Sequence, residues 1–177
     1  LQDREDNDEH VVLRWRLVDS EQTREIWDHK FELTLTMKLG DTIEMHLAID
    51  TDVKTTGAFH AYLKVNDVVD VQIAGLGARY KDAFLDGTVC VESDDTVEIR
   101  GEVDRVYTKP DVLTTMLENT RIIDIHHHNH SDIVLWNPYM DLADMERNEY
   151  KKMVCIETAR INRPFEIKDF MGLKINF

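Results

Sequence analysis

FELTLTMKLGDTIEMHLAI, residues 31–49, decides the fold class of this chain. Phe31, Leu33, Leu35, Met37 and Leu39 point one way while Glu32, Thr34, Thr36 and Lys38 point the other, the period-two pattern of a strand with one buried face. Gly40 and Asp41 make a two-residue turn with glycine at its first central position, and Ile43, Met45, Leu47 and Ile49 resume the alternation. The stretch predicts an antiparallel hairpin.

The same pattern extends outward. Leu13, Trp15 and Leu17 alternate with Arg14 and Arg16, and residues 20–27 open with Ser-Glu-Gln-Thr, a short capped helical turn. Strand-like runs recur at 59–63, 68–73, 89–92, 97–99, 112–117 and 121–127, separated by Gly and Asp, a spacing that predicts an all-β antiparallel sandwich. Residues 141–150 are charged, with Leu142 and Met145 three apart, and predict one or two surface helical turns before the strand that holds Glu157. No repeat or low-complexity linker divides the chain, so residues 1–177 read as one domain.

Hydrophobic content of 42% is enough for a sizeable core, and 35 acidic against 21 basic residues leave a formal net charge of −14. That field repels phosphate backbones and anionic lipid, which excludes nucleic acid and membrane as partners. An anionic sugar phosphate would need a local cluster of Arg or Lys within the negative exterior. Cys90 and Cys155 lie in apolar runs without metal-type spacing, as buried thiols of a reducing compartment would. No run approaches the ~18 apolar residues of a membrane helix and no leader pattern is present, so the cytoplasm is the expected location. The chain opens at Leu1 directly into an acidic run, which suggests a start other than the natural one.

Two titratable residues stand where strands should be apolar. His60 shares a face with Ala58 and Tyr62, whose modest bulk leaves room beside the imidazole; taken alone it reads equally as an interior histidine bonded to a carbonyl. Glu157 shares a face with Met153, Cys155 and Ala159, none of which can pair with a carboxylate, so burial would raise its pKa unless the side chain reaches water at a sheet edge. Asp104 is either a surface ion-pair partner or a site carboxylate, and Asp67 either an Asx turn or a substrate contact. Trp136 and Asn137 suit a sugar pocket or a core residue followed by a turn. If the run from His126 to His130 is extended, His126, His128 and His130 project from one face and could ligate a metal.

In their order along the chain, GAFHAYLKVNDV, GEVDRVY, VLWNP and KKMVCIETA resemble the aldose 1-epimerase-like family, most closely its hexose-6-phosphate mutarotase branch. The resemblance implies a galactose mutarotase-like sandwich and interconversion of α and β anomers of an aldohexose or its 6-phosphate, with no cofactor and no metal. It implies His60 as general acid towards the ring oxygen, Glu157 as base, and Asp104 and Asp67 as contacts to sugar hydroxyls. Ala61, Leu63 and Asn66 depart from the usual hydroxyl, aromatic and glycine residues. Family chains are longer, so the expectation is a C-terminal portion, incomplete at its N-terminus. A further site histidine and the phosphate-binding arginines would then lie elsewhere, and the isolated portion would be weakly active or inactive. Uncovered faces and edges of such a portion would drive self-association. The alternatives are a non-catalytic sugar-binding β-sandwich and, on the histidine run, a metal-binding protein.

Overall fold

The computed structural model describes residues 1–177. In chain order the elements are β1 Asp3–Asp6, β2 Val11–Val18, α1 Glu21–Ile26, β3 Phe31–Leu39, β4 Thr42–Thr51, β5 Thr55–Phe59, β6 Tyr62–Lys64, β7 Val71–Ala74, β8 Arg79–Asp82, β9 Thr88–Val91 and β10 Thr96–Glu98. Then follow β11 Val103–Thr108, β12 Leu113–Glu118, β13 Arg121–His128, β14 Asp132–Asn137, β15 Met153–Phe165 and β16 Asp169–Asn176. They form two antiparallel sheets. Nine strands run β1-β2-β3-β4-β16-β13-β12-β7-β10, and seven run β5-β15-β14-β11-β8-β9 with β6 also pairing β15.

The hairpin of residues 31–49 is β3 and β4, paired from Phe31 opposite Thr51 to Leu39 opposite Ile43. Glycine at the turn has a different cause from the one its position suggests. Gly40 is not among the residues of positive φ; a Cβ there would lie 2.8 Å from the Glu9 carbonyl oxygen, so the close approach of the chain before β2 requires the missing side chain. The capped turn is α1, where the Ser20 hydroxyl accepts from the Thr23 amide and Thr23 Oγ1 accepts from the Ser20 amide.

Other expectations are corrected. Residues 68–70 form a 3-10 turn before β7, because Asp67 caps it and breaks the apparent strand. Residues 141–148 form turns instead of a helix, with the Asp141 carboxylate accepting from the Asn148 amide at 2.6 Å; only Glu149–Lys152 is a 3-10 turn. Cys155 is buried, but Cys90 on β9, at the margin of its sheet, is only half-buried. No helix is long and apolar enough to cross a membrane.

The core lies between the two sheets. Val154 and Ile156 of β15, Ile133 and Leu135 of β14 and Tyr107 of β11 join one apolar cluster with Met171 and Leu173 of β16, Ile123 and Ile125 of β13 and Ile73 of β7. The cluster reaches β4 through Ile49, and Leu33, Leu35, Ile43, Met45 and Leu47 pack against it partly buried. Across β2, β3 and β4 the register continues the apolar face as Val11–Leu39–Ile43, Leu13–Met37–Met45, Trp15–Leu35–Leu47 and Leu17–Leu33–Ile49. Extended contacts of these three strands are with one another and with β1 and β16.

Two polar devices fix β15. His127, 2% exposed in the interior, places Nδ1 2.7 Å from Thr158 Oγ1 of β15 and Nε2 3.0 Å from Thr114 Oγ1 of β12, joining the sheets through the core. Arg160, also 2% exposed, donates to the carbonyls of Arg163, Asn129, Phe170 and Pro164 and to the Asp169 carboxylate at 2.7 Å. This fork spans the register shift between Arg160 and Phe165.

Removing Arg160 strands these acceptors. In urea unfolding Arg160→Ala is expected to cost roughly 3–5 kcal/mol, and Arg160→Lys to recover only a small part of it. Burial, followed by the neighbouring His130, His128 and His126, lowers the His127 pKa from 6.5 to about 3. Below pH 6.5 the unfolded chain therefore takes up this proton before the folded one, and stability falls with pH by about 1.4 kcal/mol per unit until the folded group titrates. His127→Asn, less stable at neutral pH, should lose this slope, so that its deficit against the wild type shrinks on acidification to pH 4.5.

Candidate active site

The alternation of β15 turns Val154, Ile156 and Thr158 into the core and Met153, Cys155, Glu157 and Ala159 to the outer side of the seven-stranded sheet. Neighbouring strands align with it. Tyr62, Cys155, Trp136 and Asp104 form one cross-strand row, and Glu157 sits opposite Val134 in the next. Between β5 and β6 the strand is interrupted at His60 and Ala61, where the Ala61 amide donates to the Phe59 carbonyl at 3.0 Å. At this break the imidazole stands over β15.

His60 Nε2 lies 3.2 Å from Glu157 Oε1, and the two side chains are 48% and 8% exposed, so the imidazole faces the open side while the carboxylate is sunk beneath it. Tyr62 stacks on the imidazole, with ring centroids 4.8 Å apart and planes 14° from parallel. Trp136 meets the imidazole edge-on at 5.8 Å and Tyr62 at 6.2 Å. These two aromatic rings hold the imidazole from two sides.

Glu157 has no polar contact in the chain other than His60. Burial first and the Asp104 carboxylate second raise its pKa from 4.5 to about 7, despite the imidazole beside it. Asp104 is itself raised, by burial and then by Asp82, and makes no ion pair or hydrogen bond through its side chain, which leaves both oxygens available to hydroxyl donors. The buried Cys155 thiol is pushed up to about 12 by burial and by Glu157, which keeps it protonated and unreactive at neutral pH.

The structure therefore brings His60, Glu157 and Asp104 onto one face and gives the other candidates different work. Asp67 Oδ1 accepts from the Val69 amide at 3.3 Å, and its own amide donates to Glu118; its side chain makes no contact with the other three. Asn137 is fully buried, donating to the carbonyls of Tyr150 and Met153 at 2.8 Å each, so it anchors the loop before β15 and does not line a pocket. The histidine run is not extended throughout. β13 ends at His128, Asn129 adopts a φ of 53°, and His130 swings back to lie 5.1 Å from His127 with Nε2 3.1 Å from the Asp111 carbonyl oxygen. No group of three or more His, Cys, Asp or Glu is placed to hold a metal. Tyr62, two residues after His60, does not leave room beside the imidazole as its place on the shared face suggests; its ring fills that space by stacking.

A cavity of about 580 Å³ opens beside Tyr62, lined by Lys64, Arg147 and Lys152 but equally by Asp144, Glu146 and Glu149. Three cations against three carboxylates supply no net positive field for a phosphate group.

Comparison with known proteins identifies the family of this two-sheet sandwich. The aldose 1-epimerase family model matches residues 1–177, and the chain belongs to that family. It is 35% identical over 165 residues to a provisionally named glucose-6-phosphate 1-epimerase of Salmonella typhimurium, covering 90% of this chain and 56% of that protein. A protein of the same provisional name in Escherichia coli is 34% identical over 155 residues, covering 84% and 53%. A crystal structure of a provisionally named mutarotase from Salmonella typhimurium superimposes with a TM-score of 0.94 at 33% identity, over 99% of this chain and 63% of the other. The chain thus spans just over half the length of the curated relatives it matches, and its sandwich is of the galactose mutarotase-like type.

Burying Glu157 destabilises the fold in a pH-dependent way. Between the unfolded value of 4.5 and the folded value of about 7 the folded chain keeps a proton that the unfolded chain has lost, so stability falls as pH rises through this window. Glu157→Gln is expected to stabilise the chain by up to about 3 kcal/mol at pH 8, with the gain vanishing near pH 4.5. Thermal unfolding of both forms across that range checks it.

Proposed function

We propose that this chain carries the proton-transfer machinery for interconverting the α and β anomers of an aldohexose, with the hexose 6-phosphate as the favoured substrate. The observation that supports this most is the His60–Glu157 contact: a solvent-facing imidazole 3.2 Å from a buried carboxylate whose pKa is raised to about 7. Groups so placed can serve as acid and base to two oxygens of one sugar. The provisional names of the relatives support the 6-phosphate as substrate.

Glu157, ionised, would take the proton of the anomeric hydroxyl while the His60 imidazolium donates one to the ring oxygen. The bond from the anomeric carbon to the ring oxygen breaks, its electron pair going to that oxygen, and an open aldehyde results. Rotation about the first carbon–carbon bond presents the other carbonyl face. Closure with the two groups in exchanged roles gives the second anomer. Asp104 would accept hydrogen bonds from sugar hydroxyls, and the exposed ring of Tyr62 with the indole of Trp136 would take the apolar face of the sugar. Phosphate recognition calls for a positive cluster that the mixed-charge cavity beside Tyr62 does not provide.

Exchange spectroscopy by NMR on the anomers of glucose 6-phosphate tests the reading. Weak exchange above the buffer rate is expected of this portion, with Glu157 ionising near pH 7 setting the acid limb of its pH profile. In the complete protein His60→Ala and Glu157→Gln should each lower it by roughly 10²–10⁴-fold, with unchanged circular dichroism. Near-normal rates in either variant would refute the assignment, and sugar binding without exchange would make the chain a carbohydrate-binding module instead.

A further inference from the structure

A cavity of about 570 Å³ opens on the outer side of the nine-stranded sheet, within the ~300–1,000 Å³ range of small-molecule sites. Strand register builds it. Met45 and Leu173 turn towards the core, so Glu44, His46, Gly172 and Lys174 stand on the outer side. Thr36, His46, Gly172 and His128 form one cross-strand row, and Lys38, Glu44, Lys174 and His126 form the next. Gly172 thus lies between two exposed histidines, and its missing side chain leaves the space between their rings open. Phe170, 42% exposed, stacks on the His46 ring with centroids 5.1 Å apart and planes 21° from parallel, which gives the cavity an accessible aromatic wall.

Charge in this cavity runs against that of the chain as a whole. Lys38 and Lys174 flank a single carboxylate, Glu44; Lys174 Nζ approaches it only to 3.5 Å, and Lys38 makes no ion pair. The ring hydrogen bonds of the histidine run belong to His127 and His130, so His128 and, on β4, His46 have ring nitrogens free for a ligand. Two ammonium groups against one carboxylate make a local positive excess in a chain of formal net charge −14. The cavity beside Tyr62, with as many carboxylates as cations, has no such excess. We propose that the cavity over Gly172 is a binding site for a small organic phosphate. Lys38 and Lys174 neutralise the phosphate group, the imidazoles of His46 and His128 donate to its oxygens, and the carbon body lies over Gly172 against Phe170. Glu44 opposes the anion and moderates its affinity. The site lies on the opposite side of the sandwich from His60 and Glu157, so its occupant does not compete for the candidate active site.

Proton–carbon NMR of the histidine rings, titrated with phenyl phosphate, tests this on the 177-residue chain. His46→Gln and His128→Gln assign the two signals. In the wild type both should shift together with one dissociation constant in the millimolar range or below, and phenol, which lacks the phosphate, should shift neither. Inorganic phosphate, which lacks the carbon body, should bind several-fold more weakly. Lys38→Gln and Lys174→Gln should each weaken phenyl phosphate by about 5-fold, and Glu44→Gln should tighten it by a similar factor. Lys152→Gln, in the cavity beside Tyr62, should change nothing. Circular dichroism establishes which variants fold, and if Lys174→Gln does not, Lys38→Gln and Glu44→Gln carry the comparison. Three results would overturn the proposal: signals unmoved at ~10 mM phenyl phosphate, inorganic phosphate binding as tightly as phenyl phosphate, or an affinity indifferent to Lys38→Gln and Glu44→Gln. No readout involves anomer exchange, so the outcome is independent of the proposed activity.

Discussion

Everything at the candidate site depends on the register of β15. Met153 to Arg160 are buried on both sides of the strand, so a slip of one residue would carry Ile156 outward and Glu157 into the core. The hydrogen bond between His127 and Thr158 opposes that slip from behind, linking the sheets at the residue next to Glu157. Beyond it the Arg160 fork holds the strand where its pairing with β5 becomes irregular. Thr158 and Arg160, which follow Glu157, are thus tied to the other sheet.

The same burial that locates Glu157 sets its chemistry. A carboxylate with one polar neighbour, beneath an imidazole and facing Asp104, cannot hold its charge as easily as in water, and its pKa moves into the range where it exchanges protons at neutral pH. His127 illustrates the opposite use of burial. It is kept neutral with both ring nitrogens engaged by threonine hydroxyls, and it serves packing alone. Their effects on stability run in opposite directions with pH and partly cancel between pH 4.5 and 6.5.

The long sheet has two different halves. Its β16 to β10 half closes on the seven-stranded sheet and forms most of the core, while on β3 and β4 the same apolar face is partly buried against it and on β2 it ends at the exposed Leu17. This asymmetry accompanies the chain's coverage of just over half the length of its curated relatives. The candidate site lies on the outer side of the other sheet, away from this face.

The amino-acid sequence by itself determined the strand alternation of residues 31–49, the all-β sandwich and, through ordered motifs, the family. Each of these depends on local period or on short runs of residues. His60 and Glu157 were legible because a titratable group inside an apolar alternation breaks a local rule. Only the tertiary structure decided that these residues, 97 positions apart, meet at 3.2 Å and that Asp104 joins them. It also decided that Tyr62 supports the imidazole and that Asp67 and Asn137 serve local structure. The reason is physical: side-chain direction along a strand follows from period two, but which strands lie side by side, and in what register, follows from pairing between distant segments that no local pattern records.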